Sequence, residues 1–391
     1  MIVNKYKDLI IINALMRGGI IPEDVKEKLC NDWMEVGYAV CFDCLDGRSG
    51  LVSNPPIKKF LLEVAEFFGG DAAEHTFGCR GAQFSVMHTV SKLVKEGLCS
   101  NKVITDPLCH YSTNIAAEMN DLKAVEPPHS GYPEYKIEAN AFAHKIEEVK
   151  SKEGKPPALV MVTHADPYYG NIEPLKEVGK ICRDYEIPFM VNAAYTGGVM
   201  PIDMKEINAD FLTISAHKSM ASLGPLGYVV TNLKWSEKIF QKSKQKTEWS
   251  GRAFGMKLPS VFGCSVGGIP LVSSMLSFPY VKERVGRWDE EQKKNSWFIK
   301  EMENIGEMTL IGQRPHRHHL LHFETPVFWE ISKNHKRRGF FLAEQMIKRG
   351  IVGLQRGLTK RIKLSVYDLS EEEIHKVIDA FTEIASSEAK K

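Results

Sequence analysis

Residues 210–232 read DFLTISAHKSMASLGPLGYVVTN. Apolar residues run almost unbroken through 211–214 and again through 226–230, the pattern of strands buried on both faces. Between the two runs lie Lys218 and a Gly/Pro turn. A lysine just past a buried strand, flanked by Ser215 and His217, suits a Schiff-base role. Partial desolvation at a sheet edge lowers an amine's pKa and frees its lone pair. Most lysines in such positions are solvated loop residues, so the surroundings decide the reading.

Outward from this segment, strands and helices alternate. ALVMVTH (158–164) and PFMVNAA (188–194) predict two more buried strands, and KVITD (102–106) a shorter one. The amphipathic run LKEVGKICRDYE separates two of them, and FGCRGAQFSVMHTVSKLV reads as a Gly-rich turn feeding a helix. This order predicts an α/β domain with a mainly parallel sheet, its site beyond the carboxyl ends of the strands. Towards the N-terminus, PEDVKEKLCNDWMEV and IKKFLLEVAEFFGG predict helices, the second closed by Gly69 and Gly70.

Beyond Pro279 the pattern changes. YVKERVGRWDEEQKKNSWFIKEMENIG predicts one long charged helix, and LLHFETPVFWEI an alternating antiparallel strand. RRGFFLAEQMIKRG then predicts a helix, RIKLSVY a strand and EEEIHKVIDAFTEIASSE a terminal helix. The expected organisation is an N-terminal segment (1–50) contributing to the site, a large domain (51–280) and a smaller α+β domain (281–391). A length of 391 residues suits two or three domains.

Composition narrows the class. Hydrophobic residues at 43% and charged residues at 26% exclude general disorder. With 51 basic and 49 acidic side chains the formal charge is +2, so any nucleic-acid surface must be local. Eight cysteines are too few for a secreted disulfide scaffold. LIIINALM (9–16) is too short to cross a bilayer, and no small-residue cleavage site follows it, which points to a cytoplasmic protein without membrane association.

Several upstream segments supply what pyridoxal phosphate requires: a phosphate cup, partners for the ring and an amine. GCRGAQ offers backbone N–H groups at a helix start, THADPYYGN places Asp166 and Asn171 after a strand, and Asn192 ends another. The order of these segments resembles fold-type I pyridoxal-phosphate enzymes over nearly the whole chain. INALMRGGIIPEDV, GYAVCFDCLDGR, HTFGCRGAQFSVMH, HADPYYGN, NAAYTGGVMPID, SAHKSM, GCSVGG and LSFPYVKERVGRW together resemble the Sep-tRNA:Cys-tRNA synthase family. The fold implied is a mainly parallel, seven-stranded-type sheet with a smaller α+β C-terminal domain.

The resemblance also implies roles. Lys218 would bind the cofactor aldehyde, the Gly81–Ala82 backbone with Ser215 and His217 would hold its phosphate, and Asp166, Asn171 and Asn192 would contact it. His110 would lie near the ring face and, with Arg80 and Tyr111, near the substrate phosphate. Many fold-type I enzymes have Asp where Asn192 stands, and an amide cannot act as a charge partner, so the ring should be a weaker electron sink. The reaction implied is conversion of O-phosphoseryl-tRNA to cysteinyl-tRNA in a homodimer. The partners implied are tRNA(Cys), a sulfur donor and a phosphoseryl-tRNA synthetase.

Cys41 and Cys44 form CFDC, which alone supports a redox pair, half a zinc site or two ordinary thiols. The family pattern joins Cys264 to them, as a persulfide carrier or as ligands of an iron–sulfur cluster. Cys30, Cys99, Cys109 and Cys182 lie in apolar patterns and are expected in the core, while Cys79 stays open. His164 would orient a site loop or simply end a strand. HRHHLLH (316–322) reads as a small-domain strand rather than a metal tract, with His316, His318 and His322 on one face and His319 on the other. KWSEKIFQKSKQKTEW, KNHKRRG and LTKRIK are solvated faces or RNA-backbone contacts. The rival readings are a desulfurase or lyase acting on a free amino acid, a selenocysteine-forming relative, and a catalytically silent tRNA-binding protein.

Overall fold

The computed structural model describes residues 8–33, 39–41, 57–242, 244, 248–249, 251 and 265–388, with backbone alone at 39–41, 265–267 and 388. Its strands, in chain order, are β1 (Ile10–Ile11), β2 (Ala39–Cys41), β3 (Ala72–Thr76), β4 (Lys102–Thr105), β5 (Lys123–Val125), β6 (Leu159–Thr163) and β7 (Phe189–Asn192). They continue with β8 (Phe211–Ile214), β9 (Gly227–Thr231), β10 (Ser265–Gly267), β11 (Thr309–Leu310), β12 (Leu321–Glu324), β13 (Ile351–Val352) and β14 (Arg361–Leu364).

Seven strands form one sheet in the order β3-β9-β8-β7-β6-β4-β5. β9 runs antiparallel to β3 and β8, and every other pair is parallel. Alternate residues feed two cores, as a two-residue side-chain period requires. Val160, Val162, Phe189, Val191, Leu212 and Ile214 pack with helices 57–67, 139–153 and 175–184. Leu159, Met161, Met190, Phe211 and Val229 pack with helix 78–95 on the other side. A third core joins the antiparallel sheet β11-β12-β14 to helices 288–303, 326–334, 341–348 and 371–388. Ile10 and Ile12 belong to this third core, because β1 pairs parallel with β13.

The mainly parallel seven-stranded sheet agrees with expectation, but several elements differ. β3, whose sequence is AAEHT, is a strand that the polar residues hide; Glu74 and His75 are nevertheless buried. The predicted helix over 280–306 is two helices, Gly268–Gly286 and Trp288–Glu303, broken at Arg287. Pro279 lies inside the first of them, so the expected boundary at 280 falls within a helix. LLHFETPVFWEI is not one strand. β12 stops at Glu324, and Pro326 opens a helix, where its fixed φ fits and its missing N–H is not needed. The histidine tract is not a strand either: pairing starts at Leu321, and His316, His318 and His319 occupy a buried bend. Cys30 is exposed, since Leu29 takes the inward position at that turn; Cys99, Cys109 and Cys182 are buried as expected.

Among the described residues no helix is long and apolar enough to cross a membrane.

Candidate active site

The carboxyl ends of β6, β7 and β8 deliver Thr163, Asn192 and Ser215 to one cavity of about 280 Å³. Helix 78–95 points its N-terminus at the same space, and Arg80, Gln83, His110, Tyr195, His217 and Lys218 complete the wall. This is where ligands bind in open α/β sheets. The approach of helix to sheet depends on glycine. A Cβ on Gly227 would lie 2.4 Å from the Gly78 carbonyl carbon and 2.7 Å from the Cys79 nitrogen.

Lys218 is half-buried and donates to the Tyr195 hydroxyl at 3.2 Å, with its ammonium 4.6 Å from the centre of that ring. The lysine's segment is held from outside the cavity. Arg284 donates to the Gly198 carbonyl at 2.8 Å, to that of Gly18 at 2.9 Å and to that of Ser219. One guanidinium thus ties the residue after the lysine to the loop carrying Tyr195 and to the N-terminal segment. Gly18 and Gly19 pack directly on the backbone of Lys218 and His217, where a Cβ would come within 2.8 and 2.1 Å of their carbonyl oxygens.

Asn192 accepts the Ala194 N–H at 3.0 Å and the Cys79 thiol at 3.3 Å through Oδ1. Its remaining polar atom, the amide nitrogen, is a donor. Burial pushes the Cys79 thiol up to about 11, so this cysteine is a protonated hydrogen-bond donor rather than a thiolate. His110 caps the helix 111–118 by accepting from the Ser112 N–H, and its ring contacts Ser112 Oγ at 2.8 Å. Burial, with Lys218 and Arg80 adding repulsion, lowers His110 to about 4, so the ring is neutral at pH 7. Arg80 lies over the ring of the exposed Tyr111 at 4.9 Å. His217 holds the Leu226 carbonyl at 2.9 Å, and burial lowers its pKa.

Arg80, His110, Asn192, Ser215, His217 and Lys218 therefore converge as the sequence predicts. Gly81 and Ala82 do not line the cavity. The helix begins at Gly78, so the N–H groups of 78–80 precede the helical ladder, and those of 81 and 82 already lie within it. Asp166 and Asn171 also stay out of the cavity. Asp166 accepts the N–H groups of Tyr168, Tyr169 and Asn171, each at 2.7 Å. Asn171 binds the Glu134 carbonyl at 2.9 Å and the Gln313 N–H at 2.8 Å, which ties the loop together. His164 bonds Thr196 Oγ1 at 3.0 Å beneath the same loop.

Tyr195, Gln83 and Arg284 are the participants that sequence reasoning missed. Gln83 accepts Ser112 Oγ at 3.1 Å and so joins the helix to the His110 turn. Cys44 and Cys264 lie outside the described residues. Cys41 ends β2, and the register of β2 with β10 places it opposite Ser265, the residue that follows Cys264 in sequence.

The buried histidines form a second polar centre. His318 reaches the Tyr195 carbonyl at 3.4 Å, and His319 bonds Ser365 Oγ at 2.9 Å. No metal-binding group of His, Cys, Asp or Glu occurs among the described residues. Burial depresses His319 to about 3. A histidine with a depressed folded pKa stabilises the fold above its unfolded value near 6.5, and this contribution is lost as pH falls towards the folded value. Urea denaturation at pH 7 and pH 5 should therefore show the stability advantage of wild type over His319→Gln shrinking by about 2 kcal/mol. An advantage that stays constant would show that His319 does not carry the pH dependence.

An amine, a donor amide, hydroxyls and helix N-terminal N–H groups around one cavity fit pyridoxal phosphate, with Lys218 for the aldehyde, 78–80 with Ser215 and His217 for the phosphate, and Asn192 for an unprotonated ring nitrogen. The fold and this lysine-centred cavity define a pyridoxal-phosphate-dependent transferase of fold-type I. Comparison with known proteins narrows the class. The family model for O-phosphoseryl-tRNA(Sec) selenium transferase matches residues 99–386. A curated relative from Archaeoglobus fulgidus, O-phospho-L-seryl-tRNA:Cys-tRNA synthase 2, is 45% identical over 97% of this chain and 95% of its own. The O-phospho-L-seryl-tRNA:Cys-tRNA synthase of Methanocaldococcus jannaschii is 41% identical over 98% of this chain and 99% of its own. Among solved structures, SepCysS in complex with the SepCysE N-terminal domain superposes with TM-score 0.85 at 39% identity, covering 98% of this chain and 96% of that one. A cysteine desulfurase from Thermococcus onnurineus shares the fold at TM-score 0.74 and 17% identity, covering 97% of this chain and 95% of that one. The chain belongs to the O-phospho-L-seryl-tRNA:Cys-tRNA synthase family.

Proposed function

We propose that this protein converts O-phosphoseryl-tRNA(Cys) to cysteinyl-tRNA(Cys) by eliminating phosphate and adding sulfur at Cβ, in the cytoplasm and as a homodimer. The observation that carries the reading is the cavity itself: Lys218 faces Tyr195 at its floor, and Arg80 and neutral His110 stand at its wall. Family membership supplies the substrate class, since its curated relatives are named for it.

Pyridoxal phosphate, when bound, draws off the negative charge that develops at the substrate's Cα. Lys218 removes the Cα proton and later returns it, with the Tyr195 hydroxyl orienting the amine. Phosphate leaves Cβ with the bonding electron pair, and Arg80 holds it bidentately, a role its planar guanidinium suits. His110, kept neutral, donates or accepts a hydrogen bond there without adding a second full charge. Cys41, Cys44 and Cys264 supply the sulfur, as a persulfide or on an iron–sulfur cluster. Support comes from β2–β10 pairing, which sets Cys41 opposite the neighbour of Cys264.

The SepCysE partner of the solved relative takes the place where the sequence reading set a phosphoseryl-tRNA synthetase, and a SepCysE-like protein is the better candidate to bring substrate here. Anaerobic incubation with O-phosphoseryl-tRNA and sulfide should yield cysteinyl-tRNA, and free O-phosphoserine should not react at a comparable rate. Release of alanine from free cysteine, with no reaction of the charged tRNA, would establish the desulfurase reading instead.

A further inference from the structure

A cleft of about 820 Å³ opens between the N-terminal segment and the small-domain sheet, lined by Leu15, His322, Trp329, Leu358, Lys360 and Lys363 among others. Arg361 also lines it and is held by Glu324. No carboxylate appears among the described lining residues, in a chain whose acids and bases almost balance. Trp329 leaves 41% of its surface exposed, and the Lys333 ammonium, paired with Glu330 at 2.6 Å, lies 5.7 Å from the centre of its ring. A column of stacked rings runs up to the cleft. Tyr135 stacks on Tyr169 at 4.2 Å and 4°, and Tyr169 on His322 at 5.5 Å and 16°. The column ends at the cleft with His322, whose pKa burial lowers to about 4, leaving an uncharged aromatic face.

The cleft is close to the catalytic cavity through two short stretches of chain. Asn13 lines the cleft and Gly18 packs on the Lys218 carbonyl, five residues on, a span of at most about 18 Å. Lys363 lines the cleft and holds the Pro167 carbonyl at 2.6 Å, four residues from Thr163 in the cavity wall. Such a stretch spans at most about 14 Å.

An exposed indole beside a half-buried imidazole, with Lys360 and Lys363 in the lining and the carboxylates of Glu324 and Glu330 each already paired to a cation, is the chemistry of a groove for unpaired nucleotides, where bases stack and phosphates meet lysines. Resting on the proposed tRNA substrate, we infer that this cleft seats the single-stranded acceptor end of the RNA and so leads the aminoacyl group to Lys218. Duplex RNA would gain little here, because its bases are stacked on each other and cannot reach the rings.

The test is binding of a fluorescein-labelled, unstructured RNA of about 10 nucleotides, against a blunt RNA duplex, by the full-length protein. Trp329→Ala should weaken the single strand about tenfold and leave the duplex within about twofold. Trp329→Phe should restore most of the loss. Lys360→Gln, at an exposed position, should lower the slope of log affinity against log salt by about 0.7 for the single strand. Equal single-strand affinity in wild type and Trp329→Ala, or equal loss for both RNAs, would overturn the assignment. So would a Trp329→Ala protein that binds RNA normally but loses its SepCysE-like partner, since the cleft would then be a protein site. If wild type converts phosphoseryl-tRNA while Trp329→Ala binds and turns it over unchanged, only the cleft assignment fails. If wild type neither binds nor converts that tRNA, the proposed function itself fails.

Discussion

Lys218→Ala should lower turnover of phosphoseryl-tRNA by at least about 1,000-fold, because it removes both the anchoring amine and the base at Cα. The loss should not come from misfolding. Lys218 is half-buried and, among the described residues, its side chain donates one hydrogen bond, to Tyr195, so the variant should unfold within about 1 kcal/mol of wild type. Borohydride treatment of the loaded wild type should fix the cofactor on the peptide spanning 216–220, and the variant should show no such adduct. RNA affinity should be unchanged, since the Lys218 amine sits in a separate cavity from the Trp329 cleft. A variant that keeps activity, or wild type labelled at another lysine, would remove Lys218 from the centre of the reaction.

The same segment shows why so much of the fold could be read in advance. β6, β7 and β8 are buried on both faces, and burial of that kind leaves a continuous apolar run that periodicity alone detects. β3 escaped because its residues include Glu74 and His75. Their burial costs enough to lift the carboxyl to about 8 and drop the imidazole to about 4, an arrangement that local sequence argues against. The break at Arg287 escaped for the opposite reason: charge patterning continues across it, and only the packing of Trp288 beside Tyr367 shows the new direction. At the site, residues on strand ends were found because strands aim them. Tyr195, Gln83 and Arg284 act through contacts with segments 23, 29 and 65 or more positions away, which no local pattern records. Asp166 and Asn171 bond within their own loop and outside the cavity lining, and a polar loop after a strand reads the same whether its side chains face a ligand or close their own turn. The N–H groups at the helix start lie a few residues before Gly81 because they depend on where the helix begins, and boundaries are the least certain part of a sequence reading.

On the proposed reaction the sulfur is delivered by the cysteines, and Cys41→Ser should expose that step. A terminal persulfide sulfur that adds to Cβ leaves the substrate joined to the enzyme through an S–S bond. A second thiolate must attack the enzyme-side sulfur, expelling the product thiolate and closing a disulfide between two enzyme cysteines. Two equivalents of an external thiol, or one dithiol, then reduce that disulfide and supply the two electrons that bring the transferred sulfur to the thiolate level. On the proposed reaction, a second thiolate within reach is the role a C-x-x-C pair would fill, where a desulfurase requires only one thiol. β2 and β10 pair Cys41 with Ser265, so Cys41, at the end of β2, and the chain just after Cys264 are fastened together by backbone bonds. Serine keeps the size but not the sulfur chemistry, since its hydroxyl neither carries persulfide nor leaves as a thiolate at pH 7. Cysteine formation from a protein-borne sulfur donor should fall by at least about 100-fold in Cys41→Ser, Cys44→Ser and Cys264→Ser alike. Phosphate release should persist within about tenfold, because Lys218, Arg80 and His110 are untouched. Parallel loss of both products would place the cysteines in the elimination step, and unimpaired cysteine formation in all three variants would exclude them from the reaction. If the variants also lose bound iron in proportion to sulfur transfer, the thiols act as cluster ligands rather than as persulfide carriers.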